Sequence, residues 1–303
     1  MPSRHFLTIR DFTPDELRKL ITLGIEMKAQ PGRFSDTLKG KALAMLFEKP
    51  SLRTRVSFDV GIHQLGGFSL YLSPTEVNLG KRETIADVAH NLERMVQGIM
   101  IRTFAHKIVE EMAANSKVPI INGLTDFSHP CQAMADFMTL QEQKKRLEGL
   151  KLAFIGDGNN VANSLMFAGA LLGVHVAVAG PKGFEPKPDV VAWVKEHAKG
   201  AKLTVTNDPA EAAHEADAIY TDVWASMGQE SEAAARKKIF EPYQVNGALF
   251  AKAKPDAIFM HCLPAHRGEE VAADVIDSAR SVVFPQAENR LHVQKAIMAT
   301  LMR

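Results

Sequence analysis

Ser51, Arg53 and Thr54 stand in the pentapeptide Ser51-Leu52-Arg53-Thr54-Arg55, between the apolar run Lys41 to Phe47 and the amphipathic run Val56 to Leu65. A strand feeding a helix whose first turn carries two hydroxyls and a guanidinium is a cradle for phosphate. The free N–H groups and positive dipole end of the helix favour an anion, and the planar fork of Arg53 matches phosphate oxygens. The same residues also read as a plain N-cap at Ser51 followed by solvated arginines. Three further clusters fall where apolar runs end: His129-Pro130-Cys131-Gln132, Asp222 with Ser226-Met227-Gly228, and His261-Cys262-Leu263-Pro264. A lone histidine before a helix is an ordinary cap or hydrogen-bonding group. Beside a phosphate cradle it is suited to polarise a carbonyl, because donors aimed at an oxygen that gains negative charge lower the barrier to acyl transfer.

The elements that must hold these groups alternate throughout, apolar runs with helical periodicity, which is the pattern of parallel sheets covered by helices on both faces. The pattern predicts strands near 42–47, 68–72, 98–102 and 118–122, with helices near 12–28, 54–65, 84–96 and 106–115. Pro130 to Leu147 reads as one helix spanning two domains, with a basic last turn, Lys144-Lys145-Arg146, and a stop at Gly149. A second unit follows, with strands near 151–155, 174–179, 203–206, 218–221, 257–260 and 281–284, and helices near 160–172, 188–198, 209–214 and 231–240. The last segment, Ala287 to Met302, is again helical in pattern. In open parallel sheets, ligands gather beyond the carboxyl ends of strands, where these polar clusters lie.

A chain of 303 residues suffices for two cores of about 150 residues each. With 46% hydrophobic and 23% charged residues it has the make-up of a globular enzyme. A net charge of +1 supplies no global field for nucleic acid or membrane, so any anion site is local. No apolar run approaches the about 18 residues of a membrane span, and acids interrupt the N-terminal stretch, so a cytoplasmic location is expected. The two cysteines, Cys131 and Cys262, are expected as free thiols of a reducing compartment rather than a disulfide.

Other chemistries were weighed on the same residues. Gly156-Asp157-Gly158-Asn159-Asn160 opens a helix after a strand, as a dinucleotide fingerprint does, but lacks the third glycine, and the next strand ends without an acid for a ribose hydroxyl. His261, Cys262 and His266, with His129 and Cys131, resemble half a zinc site, but adjacent residues are poorly spaced as a ligand pair. Cys262 at a strand end also suits a covalent nucleophile.

Taken together, the four clusters, in this order and spacing, resemble the aspartate/ornithine carbamoyltransferase family, and within it the ornithine branch, over essentially the whole chain. The resemblance implies an α/β protein of two domains, each a mostly parallel sheet with helices on both faces, joined by interdomain helices. Residues 1–133 would bind carbamoyl phosphate, 134–149 would form the interdomain helix, 150–286 would bind ornithine, and a final helix, 287–303, would return to the first domain. It implies carbamoyl transfer to the δ-amine of L-ornithine, yielding citrulline and phosphate in arginine biosynthesis or catabolism, without cofactor or metal. Catalytic roles fall to Arg102, His129, Asp222 and Cys262. Carbamoyl phosphate would be held by Ser51, Leu52, Arg53, Thr54, Asn78, Arg102, His129, Pro130, Cys131, Gln132, Cys262, Leu263 and Arg290. Ornithine would be held by Asn160, Asp222, Ser226 and Met227, the last two on a loop that closes over it. A homotrimer whose subunits share sites through the loop Glu76 to Lys81 is also implied. Two positions depart from the family pattern: Leu52 where threonine is frequent, and Asn78 where many members carry glutamine or histidine. Rival readings are transfer to aspartate, putrescine or an acylated ornithine, a nucleotide-dependent oxidoreductase, and a non-catalytic sensor of phosphorylated metabolites.

Overall fold

The computed structural model describes residues 4–225, 228 and 230–303. The chain divides into two units, one running up to Met138 and taking in Glu288–Arg303, the other Thr139–Ala287. Each is built on an all-parallel sheet wrapped by helices, as the alternating pattern predicts.

In the first unit the strands are β1 (Ala42–Phe47), β2 (Phe68–Leu72), β3 (Gly98–Arg102) and β4 (Ile120–Leu124), in the order β2-β1-β3-β4. Every residue of β1 and β3 is buried, which explains why both read as continuous apolar runs rather than alternating ones. Phe47 pairs with Arg102, so Arg102 emerges at the same edge as the segment leading to Ser51. Between Ile101 and Arg102 the pairing to β4 slips from Asn122 to Leu124, skipping Gly123. Such a slip re-aims the side chain that follows it. A Cβ at Gly123 would lie 2.6 Å from Met100 Sδ, so a larger residue there would have to displace the Met100 side chain. The unit is completed from the far end of the chain. Lys28 Nζ bonds Asn289 Oδ1 at 2.8 Å, Lys295 Nζ bonds Gln64 Oε1 at 2.9 Å, and Gly61 admits Met298 and Lys295 against helix Leu52–Gln64.

The second unit comprises β5 (Lys151–Ile155), β6 (His175–Ala179), β7 (Leu203–Thr206), β8 (Ala218–Thr221) and β9 (Ile258–His261), in the order β7-β6-β5-β8-β9. The winding reverses at β5, and the crevice at such a switch point is the standard ligand position. Thr221 pairs with His261, so Asp222 and Cys262 leave neighbouring strands side by side.

Three expectations differ from the structure. Residues 281–284 are not a strand: Ser281 makes one bridge to Phe259, and a helix, Val283–Leu301, starts at once. A short apolar run does not distinguish strand from buried helix, and Pro285, well tolerated in a first helical turn, marks the start. The fourth strand lies two residues later than the run 118–122 suggests. The helix from Pro130 ends at Lys144, with Lys145 itself left-handed (φ 61°), so Gly149 is not its stop.

Candidate active site

In the first unit, extended Ser51 caps helix Leu52–Gln64, its Oγ accepting from Thr54 N at 3.2 Å, a bond that stabilises such a helix start by about 1 kcal/mol. The same Oγ donates to Thr54 Oγ1 at 3.1 Å. That fully buried hydroxyl also receives Arg290 Nη2 at 2.7 Å and Arg102 Nη1 at 3.4 Å. A hydroxyl oxygen has two lone pairs, so three donors on it exceed what it accepts, and the helix start concentrates donors of a kind suited to an anion or a carbonyl oxygen. Arg53, half-buried in the first turn, adds a third guanidinium.

His129 precedes helix Pro130–Lys144, its carbonyl accepting from Gln132 N at 3.1 Å and Ala133 N at 3.2 Å. Burial, and then the charges of Arg290, Arg102 and Arg53, push its imidazole well below the ordinary range. It is therefore neutral at pH 7 and carries one ring N–H. An NMR pH titration is expected to show one imidazole, assigned by its loss in His129→Gln, that titrates well below the other histidines because of its burial and the neighbouring guanidinium charges. Protonation with a midpoint near about 6.5, the unperturbed value, would contradict the geometry. Gln132 donates Nε2 to Asp136 Oδ1 at 2.8 Å, leaving its buried Oε1 unbonded among the described residues, an acceptor for a ligand N–H.

The remaining carbamoyl phosphate candidates are less central. Leu52 is 75% exposed, so the helix start takes only its backbone. Pro130 occupies the first helical position. Cys131 is buried with its thiol on Asn122 O at 3.4 Å, and burial pushes it up to about 12, so it is a neutral packing group. Asn78 is exposed and left-handed (φ 47°), closing helix Pro74–Val77; its own bonds are local, to Pro74, Lys81 and Arg82.

In the second unit Asn159 caps helix Asn160–Leu172, its Oδ1 accepting from Val161 N at 2.9 Å and Ala162 N at 3.1 Å, while its Nδ2 donates to Asp222 Oδ2 at 2.8 Å. The other Asp222 oxygen accepts from Val223 N at 2.8 Å and from Cys262 Sγ at 3.0 Å. Asn160 is half-buried in the first turn of the same helix. Leu263 is left-handed (φ 57°) and precedes a cis peptide to Pro264. Its N–H donates to His261 Nδ1 at 2.8 Å, which assigns the proton of neutral His261 to Nε2, 3.2 Å from buried Glu270 Oε1. Burial pushes Glu270 up, but hydrogen bonds from His261 and from His266 N–H (2.6 Å) outweigh it and hold the carboxyl below its usual range. Ser226 and Met227 lie outside the described residues.

Both ring nitrogens of His261 are thus engaged, and the zinc arrangement weighed above has no free imidazole there. His266, Glu269 and Glu270 do approach one another, yet Glu269 pairs with Lys237 at 2.9 Å and Glu270 accepts the bonds just described. The glycine turn serves the chain's own packing: a Cβ at Gly158 would lie 2.3 Å from Pro186 N, and Gly158 N donates to Phe184 O at 2.8 Å. Both cysteines are free thiols.

Sequence reasoning missed Asn159, Glu270 and Arg236. Asn159 was available as an Asx cap directly before an apolar helix. Buried Arg236, on helix Ala233–Phe240, bonds Asp157 Oδ2 at 2.8 Å, Trp224 O at 2.9 Å and Glu232 Oε2 at 3.1 Å, and nothing local announces it.

Comparison with known proteins also divides the chain in two, with the last helix counted in the second part rather than the first. The carbamoyl-P binding domain of the aspartate/ornithine carbamoyltransferase family matches residues 4–142, and its Asp/Orn binding domain matches 148–301. A Thermococcus kodakarensis protein named ornithine carbamoyltransferase is 56% identical across 100% of this chain and 97% of its own length. One of the same name from Anoxybacillus flavithermus is 55% identical across 100% and 98%. Among solved structures, ornithine carbamoyltransferase from Pyrococcus furiosus superimposes with a TM-score of 0.96 at 52% identity, covering 99% of this chain and 97% of that one.

Proposed function

Because the chain belongs to the aspartate/ornithine carbamoyltransferase family, matched along both of its domains, we propose that it is an enzyme transferring the carbamoyl group of carbamoyl phosphate to the δ-amine of L-ornithine, with L-citrulline and phosphate as products. The observation that carries this reading is the crowding of Ser51, Arg102 and Arg290 onto the Thr54 hydroxyl at a helix start, beside a neutral His129.

The helix N-terminus and Arg53 hold the phosphate. Thr54, Arg102, Arg290 and His129 direct donors at the carbamoyl oxygen, where negative charge develops as the amine nitrogen bonds to the carbonyl carbon. Gln132 Oε1 accepts from the carbamoyl NH2. The bond to the phosphate oxygen then breaks, and the amine proton passes to the departing phosphate. Phosphate is already a good leaving group, so no acyl-enzyme on Cys262 is needed. On the amino-acid side, Asp222 pairs with the α-ammonium and Asn160 with the α-carboxylate, with Ser226 and Met227 as their companions. Cys262 and Leu263 border the amine, and the Cys262 thiol on Asp222 Oδ1 adjusts its surroundings. The test is a panel of carbamoyl phosphate with ornithine, aspartate, N-acetylornithine and putrescine, read as ureido product. Efficient turnover with ornithine alone is expected; preference for another amine would overturn the assignment.

A homotrimer in the cytoplasm, with sites shared between copies, completes the reading. Among the described residues no helix is long and apolar enough to cross a membrane. Leu52, Val56 and Val60, four residues apart on one stripe of helix Leu52–Gln64, are exposed, as are Phe68 and Leu70 on edge strand β2. An apolar face of that size supports a second copy as its cover. In a closed ring, the Asn78 to Lys81 loop of one copy would reach the next copy's phosphate. Arg53→Ala and Lys81→Ala chains should then each be poorly active alone, and mixing after mild dissociation should restore activity. Each two-to-one ring contains one site with both groups intact, so an equal mixture recovers about a quarter of the wild-type level. Hybrids verified by native mass that gain nothing would end the shared-site reading.

A further inference from the structure

We propose that Arg236 is a positioning residue for the amino-acid acceptor, fixing the spacing between Asp222 and the Asn159–Asn160 turn and so setting affinity for the acceptor's amino-acid end. This rests on the ornithine reading of the second unit. Arg236 bonds Asp157, Trp224 and Glu232, and through the first two it clamps the two loops that carry Asp222 and Asn160. One Nη1 donates both to Asp157 Oδ2 (2.8 Å), two residues before Asn159, and to Trp224 O (2.9 Å), two residues after Asp222. Asn159 Nδ2 closes the circuit by donating to Asp222 Oδ2 (2.8 Å). The result is a ring of hydrogen bonds in which each loop is held at two points, two residues apart. Its guanidinium lies over Phe184 at 5.0 Å and Phe240 at 5.8 Å, and Phe184 and Phe240 meet edge to face at 4.9 Å. Phe184 also belongs to the loop that covers Gly158, so three separate segments converge on one buried cation.

The charge on Arg236 matters as much as its reach. Burial pushes the Asp157 carboxyl up, Arg236 counters it, and the carboxylates of Asp222 and Glu232 add to the upward push. Without the guanidinium, Asp157 is a buried acid facing acids, and it either takes up a proton or pushes away from Asp222. Either response changes the distance between the two groups that read the α-ammonium and the α-carboxylate. A pair removed together leaves no uncompensated charge, whereas removal of one partner does.

Steady-state kinetics of Arg236→Gln, Arg236→Lys and the double variant Asp157→Asn/Arg236→Gln test this. Arg236→Gln is expected to raise the ornithine KM by roughly ten- to a hundredfold, the loss of one or two charge-assisted hydrogen bonds, with the carbamoyl phosphate KM unchanged. Arg236→Lys keeps charge without the fork and should fall between. The double variant, with two amides able to bond and no buried carboxylate stranded, since Glu232, the other partner of Arg236, is exposed to water, should recover most of the loss. A readout independent of catalysis is available because the chain has two tryptophans, Trp193 and Trp224. In a Trp193→Phe background, emission reports buried Trp224 alone, and Arg236→Gln should red-shift it and increase acrylamide quenching. An unchanged ornithine KM in both single variants, or equal rises in the two KM values, overturns the proposal. If the wild-type protein makes no citrulline while Arg236→Gln still shifts Trp224 emission, the ornithine reading is overturned and the loop clamp stands.

Discussion

Arg290→Lys is expected to lower kcat/KM for carbamoyl phosphate by roughly a hundred- to a thousandfold, the range seen when one donor to a developing oxyanion is removed. Arg290 is 2% exposed, and its Nη2 sits 2.7 Å from Thr54 Oγ1. A guanidinium bonds that hydroxyl with one nitrogen and still presents another in a fixed plane; an ammonium on a flexible stem is a single point. The charge is conserved, so the prediction isolates geometry. The KM for ornithine should stay within about threefold, since the uniform binding of the second substrate is untouched. Circular dichroism must match the wild type. A variant with native spectra and nearly native kinetics would remove the hydroxyl-centred arrangement from the mechanism.

Putrescine, the acceptor without α-ammonium and α-carboxylate, is expected to be used about ten-thousandfold less well than ornithine in kcat/KM. A site built to bond polar groups rejects the analogue lacking them, because its own buried partners are left unmatched. In the function proposed above those partners are Asp222, 8% exposed and already receiving Asn159, Val223 and Cys262 on its two oxygens, and Asn160 in the first turn of its helix. Asp222→Asn should narrow the gap from the ornithine side, by weakening ornithine use more than putrescine use. Comparable values for the two amines in the wild-type protein would mean that the amino-acid end is not read.

The groups legible in the sequence are those whose structural signal is local. Ser51 and Thr54 sit at a strand-to-helix junction that apolar patterning and cap chemistry both mark, and Asp222 and Cys262 directly follow buried strands. Arg290 is 236 residues from Thr54, and only family resemblance, not periodicity, pointed to it. Arg236 carried no functional signal: two of its partners are 79 and 12 residues away, and the third, Glu232, together with the run Arg236-Lys237-Lys238, reads as an ordinary charge pair on a solvated helix face. The misread strand at 281–284 has the same origin, since Val282 and Val283 are buried in either state and only Pro285 separates them.

The last turns of the chain have a consequence for its synthesis. Glu288–Arg303 belongs to the unit that begins the polypeptide and supplies it with Arg290, Lys295 and Met298, all buried. Domains usually mature in the order in which the ribosome delivers them. In this chain that order is inverted: the segment Thr139–Ala287 is delivered complete while the unit begun before it still lacks a helix and one wall of its anion pocket. A nascent chain halted just before residue 288 therefore carries a finished second unit and an unfinished first one, with the helix start of Ser51 and Thr54 open on the side that Arg290 will close.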